Sequence, residues 1–229
     1  MKEDICSIPI SDVFAPQDGC PICRMTHTVE AHLVDYITGA AMMEPDVREE
    51  TNRYGFCPAH YAQMLTRRNR LSVALTLETH LQSMADLVDF GGKIPGKAAL
   101  AALHDAVCGC FVCRKTEWAV TRMLDTVTVL WKKEPEFRAL YDAQTDFCPA
   151  HAEALLRAGQ RALSRKNYAQ FAAATVRVLN KALLRVQSDV AAYCRSYDYR
   201  AAGDDRQATK HAIEHAVSFL SGEGDFTDG

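Results

Sequence analysis

The sequence lacks the features that assign a chain to a membrane or to nucleic acid. No apolar run approaches the roughly 20 residues that span a bilayer, and no basic segment followed by an apolar stretch at the start indicates a signal peptide. The formal net charge is only -3, which gives no electrostatic basis for binding nucleic acid or an anionic membrane. We therefore expect a cytoplasmic protein with no nucleic-acid or membrane partner.

Familiar catalytic motifs and strand patterns are also missing. The sequence contains no G-x-S-x-G, P-loop, Rossmann glycine pattern or H-E-x-x-H. No alternating β-branched run bounded by turn residues predicts a strand. The chain has 229 residues, of which 48% are hydrophobic, and is long enough to bury a core. These properties predict an all-α protein and favour a non-enzymatic role, without deciding whether it is an enzyme.

Three blocks occur twice in the same order. The first copy reads GCPICR from Gly19, EPDVR from Glu44 and FCPAH from Phe56, and the second reads GCFVCR from Gly109, EPEFR from Glu134 and FCPAH from Phe147. The second copy follows the first by 90 residues in two blocks and by 91 in the third. We interpret this pattern as a tandem duplication of one helical unit, with the two copies packed about a pseudo-twofold axis.

Apolar residues at helical spacing follow each C-x-x-C pair, and proline then marks the start of further helices. Pro45 and Pro58 suit the first turn of a helix, where the N–H that proline lacks would have no partner. The predicted division of the chain is an N-terminal segment, 1–17, a first metal-binding unit, 18–92, a linker, 93–107, a second metal-binding unit, 108–186, and a C-terminal helical extension with a tail, 187–229.

Cysteine and histidine recur together in the repeated blocks. A C-x-x-H sequence at the start of a helix places both side chains on one face, so that both reach one ion. We pair each C-x-x-C with the C-P-A-H that follows it, which gives one set of Cys20, Cys23, Cys57 and His60 and another of Cys110, Cys113, Cys148 and His151. Three sulfurs and one imidazole suit tetrahedral zinc, and a site without an open position is structural. We expect two Zn²⁺ ions per chain.

Other roles for the cysteines remain open at this stage. An iron–sulfur cluster usually requires four thiolates, and Cys108 offers a spare thiol in the second unit that could displace His151. Free cysteines packed as small apolar residues are a further possibility. A c-type haem is excluded because arginine, not histidine, follows each C-x-x-C, and a thioredoxin-like dithiol is disfavoured without a βαβ pattern.

Two repeated charged motifs carry a second functional hypothesis. Glu44-Pro45-x-x-Arg48 and Glu134-Pro135-x-x-Arg138 are interpreted as helix starts with a local ion pair, or as polar groups that line a cleft between the units. The histidines without a repeat partner, among them His80 and His104, are expected to be ordinary surface or hydrogen-bonded residues.

The order C-P-I-C-R, E-P-x-x-R, F-C-P-A-H resembles an uncharacterised prokaryotic family of helical Cys/His proteins, a family of unknown function. Asp198-Tyr199-Arg200 and the terminal Phe219-Leu220-Ser221-Gly222 are similar to that family as well. The resemblance implies a helical Cys/His protein over about residues 18–222 and supplies no activity. The second C-x-x-C departs from the family pattern because it lacks the proline.

The favoured function is a zinc-binding helical scaffold or protein-interaction module that acts through a protein partner or as a homo-oligomer. The alternative is an iron–sulfur protein in electron transfer or beside an enzyme. A further alternative is an enzyme with a cleft between the two units.

Overall fold

The computed structural model describes residues 10–92, 94–197 and 210–222, and all regular elements in these ranges are helices. The all-α prediction is therefore confirmed. No helix in these ranges is long and apolar enough to cross a membrane. The α-helices in chain order are α1 (Ile10–Phe14), α2 (Pro21–Thr38), α3 (Pro45–Tyr54), α4 (Pro58–Thr66), α5 (Arg70–Val88), α6 (Lys97–Cys108), α7 (Phe111–Lys133), α8 (Pro135–Asp142), α9 (Pro149–Ala162), α10 (Arg165–Arg195) and α11 (Ala212–Ser221). A short 3₁₀ helix, Ala40–Met43, lies between α2 and α3.

Proline begins four of these helices, as the repeated blocks predict. The prolines stand at the starts of α3, α4, α8 and α9. At the first turn proline breaks no hydrogen bond, and its fixed φ suits a helix. Cys57 and Cys148 are consequently the N-cap residues of α4 and α9, next to the positive end of each helix dipole, which favours a thiolate.

The chain divides into two compact units. Among the described residues, one unit, here called the continuous unit, contains 27–92 and 94–119, and the other, the split unit, contains 10–26, 120–197 and 210–222. Both boundaries fall inside helices, namely α2 and α7. This division differs from the predicted one at 18–92 and 108–186, and the segment taken as a linker contains α6, which packs on α3 and α5.

An aromatic cluster forms the core of the split unit. Phe14 packs edge-on against Phe137 at 5.1 Å between ring centroids, and Tyr141 lies 5.0 Å from Phe147. The fully buried Tyr141 hydroxyl shares a hydrogen bond of 2.6 Å with Thr175 on α10. Aromatic pairs add to the stabilisation from buried area, so this cluster joins α1, α8 and α10 around the loop that precedes Cys148.

The continuous unit has a core of aliphatic and aromatic side chains and a tight turn after α3. The buried side chains of α2 in this unit include Val29, Leu33 and Ile37. Gly55 follows α3 with φ +53°, and a Cβ there would lie 2.7 Å from His80 Nε2. His80 Nδ1 is hydrogen-bonded to the Asn52 carbonyl at 2.9 Å, which confirms it as a hydrogen-bonded histidine.

Candidate metal centres

Two groups of side chains each bring three sulfurs and one imidazole nitrogen within 4.8 Å of one another. The first group is Cys20, Cys23, Cys148 and His151, all in the split unit, and the second is Cys57, His60, Cys110 and Cys113, all in the continuous unit. All eight predicted residues take part, but the predicted pairing is wrong. Each C-x-x-C pair meets the C-P-A-H segment of the other sequence half.

The length of the helix after each C-x-x-C explains the corrected pairing. At a rise of about 1.5 Å per residue, α2 is roughly 27 Å long and α7 roughly 35 Å long. Each of these helices carries the chain out of one compact unit and into the other before the next C-P-A-H segment begins. Nearness in sequence therefore does not indicate which ligands converge.

In the split unit the donor atoms surround one small central position. His151 Nδ1 lies 3.1 Å from Cys148 Sγ and 3.2 Å from Cys23 Sγ, and the sulfurs of Cys23 and Cys148 are 3.7 Å apart. Cys20 Sγ closes the group at 3.8 Å from His151 Nδ1. With metal–sulfur bonds of about 2.3 Å, two thiolates on one tetrahedral zinc lie roughly 3.8 Å apart. The spacing thus fits a single ion.

Helix α11 lies against this first group. Phe219 is buried in one hydrophobic cluster with Cys148, Ala182 and Val186, and Cys20 and Cys23 pack against the same cluster. Gly222 caps the C-terminus of this helix, and its carbonyl accepts a hydrogen bond from the Cys23 thiol at 3.6 Å. None of the four donors is exposed. We call this group the covered site.

The second group has the same donor atoms in a more accessible position. His60 Nδ1 lies 3.1 Å from Cys57 Sγ, 3.3 Å from Cys110 Sγ and 3.4 Å from Cys113 Sγ. The sulfurs of Cys57 and Cys113 are 3.9 Å apart. His60 and Cys110 are buried, whereas Cys113 is exposed. We call this group the open site.

The far side of the His60 ring faces a carboxylate. Glu30 Oε1 on α2 lies 3.7 Å from His60 Nε2, while Nδ1 points to the sulfurs. A carboxylate behind a ligating imidazole orients the ring and makes it a better donor. Sequence reasoning missed Glu30, because a glutamate 30 residues before the histidine, in the middle of a helix, carries no motif.

A local contact joins the ends of the ligand segments in each unit. In the continuous unit the Phe111 N–H donates to the Gly55 carbonyl at 2.9 Å, which ties the start of α7 to the loop before Cys57. In the split unit the Thr145 hydroxyl donates to the Gln17 carbonyl at 3.0 Å, which ties the loop before Cys148 to the chain before Cys20. Both contacts bring a C-x-x-C pair and a C-P-A-H segment together.

Each group stabilises one thiolate beside a protonated imidazole. In the covered site, hydrogen bonds from Cys148 and Cys23 lower the pKa of Cys20 despite its burial. In the open site, burial raises the pKa of Cys110, but hydrogen bonds from His60 and the backbone outweigh it and bring the pKa to about 6.

The histidine pKa values shift in the opposite direction. Burial lowers them, yet contacts with Cys110 and Glu30 raise the pKa of His60 to about 10, and contacts with Cys148 and Cys20 raise that of His151 to about 10. A metal ion at either site would therefore displace protons from its donors, and binding would strengthen as the pH rises.

A pocket of about 330 Å³ adjoins the open site. Its walls include Cys57, Cys110 and Cys113 together with two exposed residues of α6, His104 and Cys108. Cys108 therefore lies in the continuous unit beside the open site, and the hypothesis that it replaces His151 is wrong.

The repeated Glu-Pro-x-x-Arg motifs make local contacts rather than gathering around the metal ligands. Arg48 donates to the Leu75 carbonyl at 3.2 Å and to the Thr79 hydroxyl at 2.9 Å. The guanidinium of Arg138 stacks on the Trp131 ring at 3.8 Å. Both arginines fasten a short helix to its own unit. The Asp198-Tyr199-Arg200 sequence lies outside the described residues.

No curated protein and no solved structure matches this chain. A family model does match it, over residues 1–227, and its description is Family of unknown function (DUF6062). This match confirms the resemblance inferred from the Cys/His blocks. The chain belongs to DUF6062, a family of unknown function.

Proposed function

We propose that the protein is a zinc-binding helical scaffold that holds two structural Zn²⁺ ions per chain. The observation that carries the proposal is the convergence of eight donor atoms into two groups of three sulfurs and one nitrogen, each within 4.8 Å. Scattered packing of free thiols would not bring a histidine Nδ1 to each cysteine trio. The three-sulfur, one-nitrogen donor set is one that zinc prefers in structural sites.

The same spacing favours zinc over an iron–sulfur cluster. In a [4Fe–4S] cluster each thiolate binds a different iron, so the cysteine sulfurs stand farther apart than sulfurs that share one ion. Pairs of sulfurs here are separated by 3.7 Å in the covered site and 3.9 Å in the open site. Each group also has only three sulfurs. An iron–sulfur electron carrier is the alternative, and its brown colour would distinguish it from a colourless zinc protein.

A structural role follows from the donor count. All four positions of a tetrahedral ion would be filled by side chains, so the ion would fasten the fold rather than activate a substrate. Because the donors converge only in the folded chain, metal binding adds to folding stability. We place the protein in a reducing compartment such as the cytoplasm, where thiolate ligands persist, with a protein partner or a second copy as its target.

The repeated architecture also supports internal duplication. Both C-P-A-H segments begin a helix at the proline, and both C-x-x-C pairs begin a long helix directly after their first cysteine, at Pro21 in α2 and Phe111 in α7. We propose that one ancestral segment with a C-x-x-C, a long helix and a C-P-A-H was duplicated. The two copies then shared their ligands crosswise.

Metal analysis with a visible spectrum, after purification without oxygen, tests the proposal. We expect a colourless protein with two zinc ions per chain and no iron or sulfide. The Cys194→Ser variant is the matched control, because Cys194 is an exposed cysteine outside both groups, and it should keep both ions. Brown protein with iron and sulfide would establish the alternative, and protein without either metal would refute both.

A further inference from the structure

The pocket beside the open site carries more metal-binding side chains than that site uses. Besides three of the four site ligands, its lining includes His104, Cys108 and Glu117. All three are exposed. The covered site, in contrast, packs against the buried Phe219 of α11. Cys113 of the open site is the one exposed donor among the eight, whereas the covered site has one buried and three half-buried donors.

Helical spacing groups these extra side chains into pairs. His104 and Cys108 stand four residues apart on α6, and Cys113 and Glu117 stand four residues apart on α7. Residues at this spacing share one face of a helix, and both pairs line the same pocket. Imidazole nitrogen and thiolate sulfur are both ligands that zinc accepts.

The α6 pair is not a third resident site. In the described part of the chain, only the covered and open sites bring at least three donor atoms of this kind within 4.8 Å. His104 and Cys108 lack the further close donors that a stable tetrahedral site requires. Their placement fits a transient contact instead.

The pocket lining carries two carboxylates and one guanidinium. Asp105 and Glu117 contribute carboxylates to its lining. Asp105 is in an ion pair with Arg53 at 3.3 Å. The cation in the lining, Arg114, stacks on the Tyr54 ring at 4.1 Å from its centroid. A site of three thiolates, one imidazole and one Zn²⁺ has a net charge of about -1, which adds to the attraction for an incoming cation.

We propose that this pocket is the route by which Zn²⁺ enters and leaves the open site, with Cys108 and His104 as transient ligands. The inference rests on the proposed function, since it assumes that the open site holds zinc. It assigns different behaviour to two sites with the same donors: the open site exchanges its ion, and the covered site retains it.

The exchange step involves one ligand replacing another. When the ion leaves, the bond between zinc and the sulfur of Cys113 breaks as a bond between zinc and the sulfur of Cys108 forms. Cys108 gives its thiol proton to water, and Cys113 takes a proton from water, so charge and protons balance. Cys113 is the ligand replaced because it is the exposed member of its group. His104 then binds the ion on the outward side.

Zinc release to an excess of a chromophoric chelator tests the proposal on the zinc-loaded full chain. We expect wild type to release its two ions in two phases, one fast and one slow. The Cys108→Ser and His104→Gln variants should each slow the fast phase by roughly tenfold, a size taken from the 10–100-fold effects on affinity or activity that mutations around metal sites produce. The slow phase should not change.

Two exposed residues outside the pocket supply matched controls. Cys194→Ser on α10 and His32→Gln on α2 remove the same kinds of side chain and should leave both phases as in wild type. Zinc content and helical circular dichroism of each variant establish that it is folded and loaded.

The outcomes separate this proposal from the function on which it rests. Absence of zinc in wild type would refute the proposed function. Two bound ions with an unchanged fast phase in Cys108→Ser and His104→Gln would refute only the exchange route. A single release phase in wild type would also overturn it, because the two sites would then release zinc at the same rate. Loss of a bound ion from Cys108→Ser at equilibrium would overturn it as well, because Cys108 would then be a resident ligand.

Discussion

The covered and open sites have identical donors and different surroundings. Both use three cysteines and one histidine Nδ1, and both have a C-P-A-H segment at the start of a helix. In the covered site a hydrophobic cluster contributed by α10 and α11 lies over Cys148. In the open site, Cys113 is exposed to a pocket. Residues outside the repeated blocks therefore decide how accessible each metal position is.

The elements beside the two sites explain this difference. Helix α11 presents Phe219 and Gly222 to the covered site, an apolar ring and a backbone carbonyl. Helix α6 presents His104 and Cys108 to the pocket of the open site, two groups that bind metal. Apolar side chains pack against one site, and further metal-binding side chains lie beside the other.

Removal of the Phe219 ring should produce the largest change, because it affects both the stability of the fold and the cover of one site. Phe219 is 7% exposed, and truncation of a buried phenylalanine costs about 3–5 kcal/mol. We expect Phe219→Ala to lower the free energy of unfolding by about 3 kcal/mol and to speed zinc release from the covered site. Urea unfolding and chelator kinetics measure the two effects.

Leu220→Ala is the matched control for Phe219→Ala, because Leu220 lies next to it and is 62% exposed. We expect a change of less than about 0.5 kcal/mol there. Equal effects of the two substitutions would show that α11 does not seal the covered site.

Two glycines with positive φ, one near each site, allow the cost of an added Cβ to be compared between the sites. A Cβ on Gly55, near the open site, would lie 2.7 Å from His80 Nε2 and 3.3 Å from the Ala106 carbonyl oxygen. A Cβ on Gly222, at the covered site, would meet Ala150 Cβ at 3.4 Å and Cys148 Sγ at 3.5 Å. We expect Gly55→Ala to cost about 2–3 kcal/mol and Gly222→Ala about 1 kcal/mol in urea unfolding. The reverse order would contradict the described turn after α3.

The smallest expected effect concerns the carboxylate behind His60. Glu30→Gln keeps the size of the side chain and removes its charge 3.7 Å from His60 Nε2. We expect zinc affinity at the open site to fall about tenfold and the covered site to remain unchanged, as measured by chelator competition. Glu49→Gln, at an exposed position of α3, is the control. An equal loss at both sites would exclude a local role for Glu30.

Sequence patterns predicted the local structure well and the long-range assembly poorly. Pro45, Pro58, Pro135 and Pro149 mark helix starts because proline restricts its own backbone. The identity of the donor residues was also readable, since cysteine and histidine recur at fixed spacing. Which C-x-x-C meets which C-P-A-H depends on where α2 and α7 end, and no local pattern encodes that.

The neighbours of each site were harder still to predict. The terminal Phe219-Leu220-Ser221-Gly222 belongs to the family resemblance, and the structure places Phe219 and the Gly222 carbonyl against the covered site. Glu30 carried no signal, since a carboxylate in mid-helix is ordinary until the fold brings it to His60. The sequence shows Cys108 as a spare thiol, but pairing each C-x-x-C with the C-P-A-H that follows it places Cys108 at the wrong site.

Zinc content of two double variants tests the crosswise pairing most directly. Cys20→Ser with Cys148→Ser removes two donors from the covered site alone, whereas Cys20→Ser with Cys57→Ser removes one donor from each site. We expect one zinc ion per chain for the first variant and almost none for the second. The opposite result, almost none for the first and one ion for the second, would show that each C-x-x-C binds with the C-P-A-H that follows it, and the crosswise pairing would be wrong.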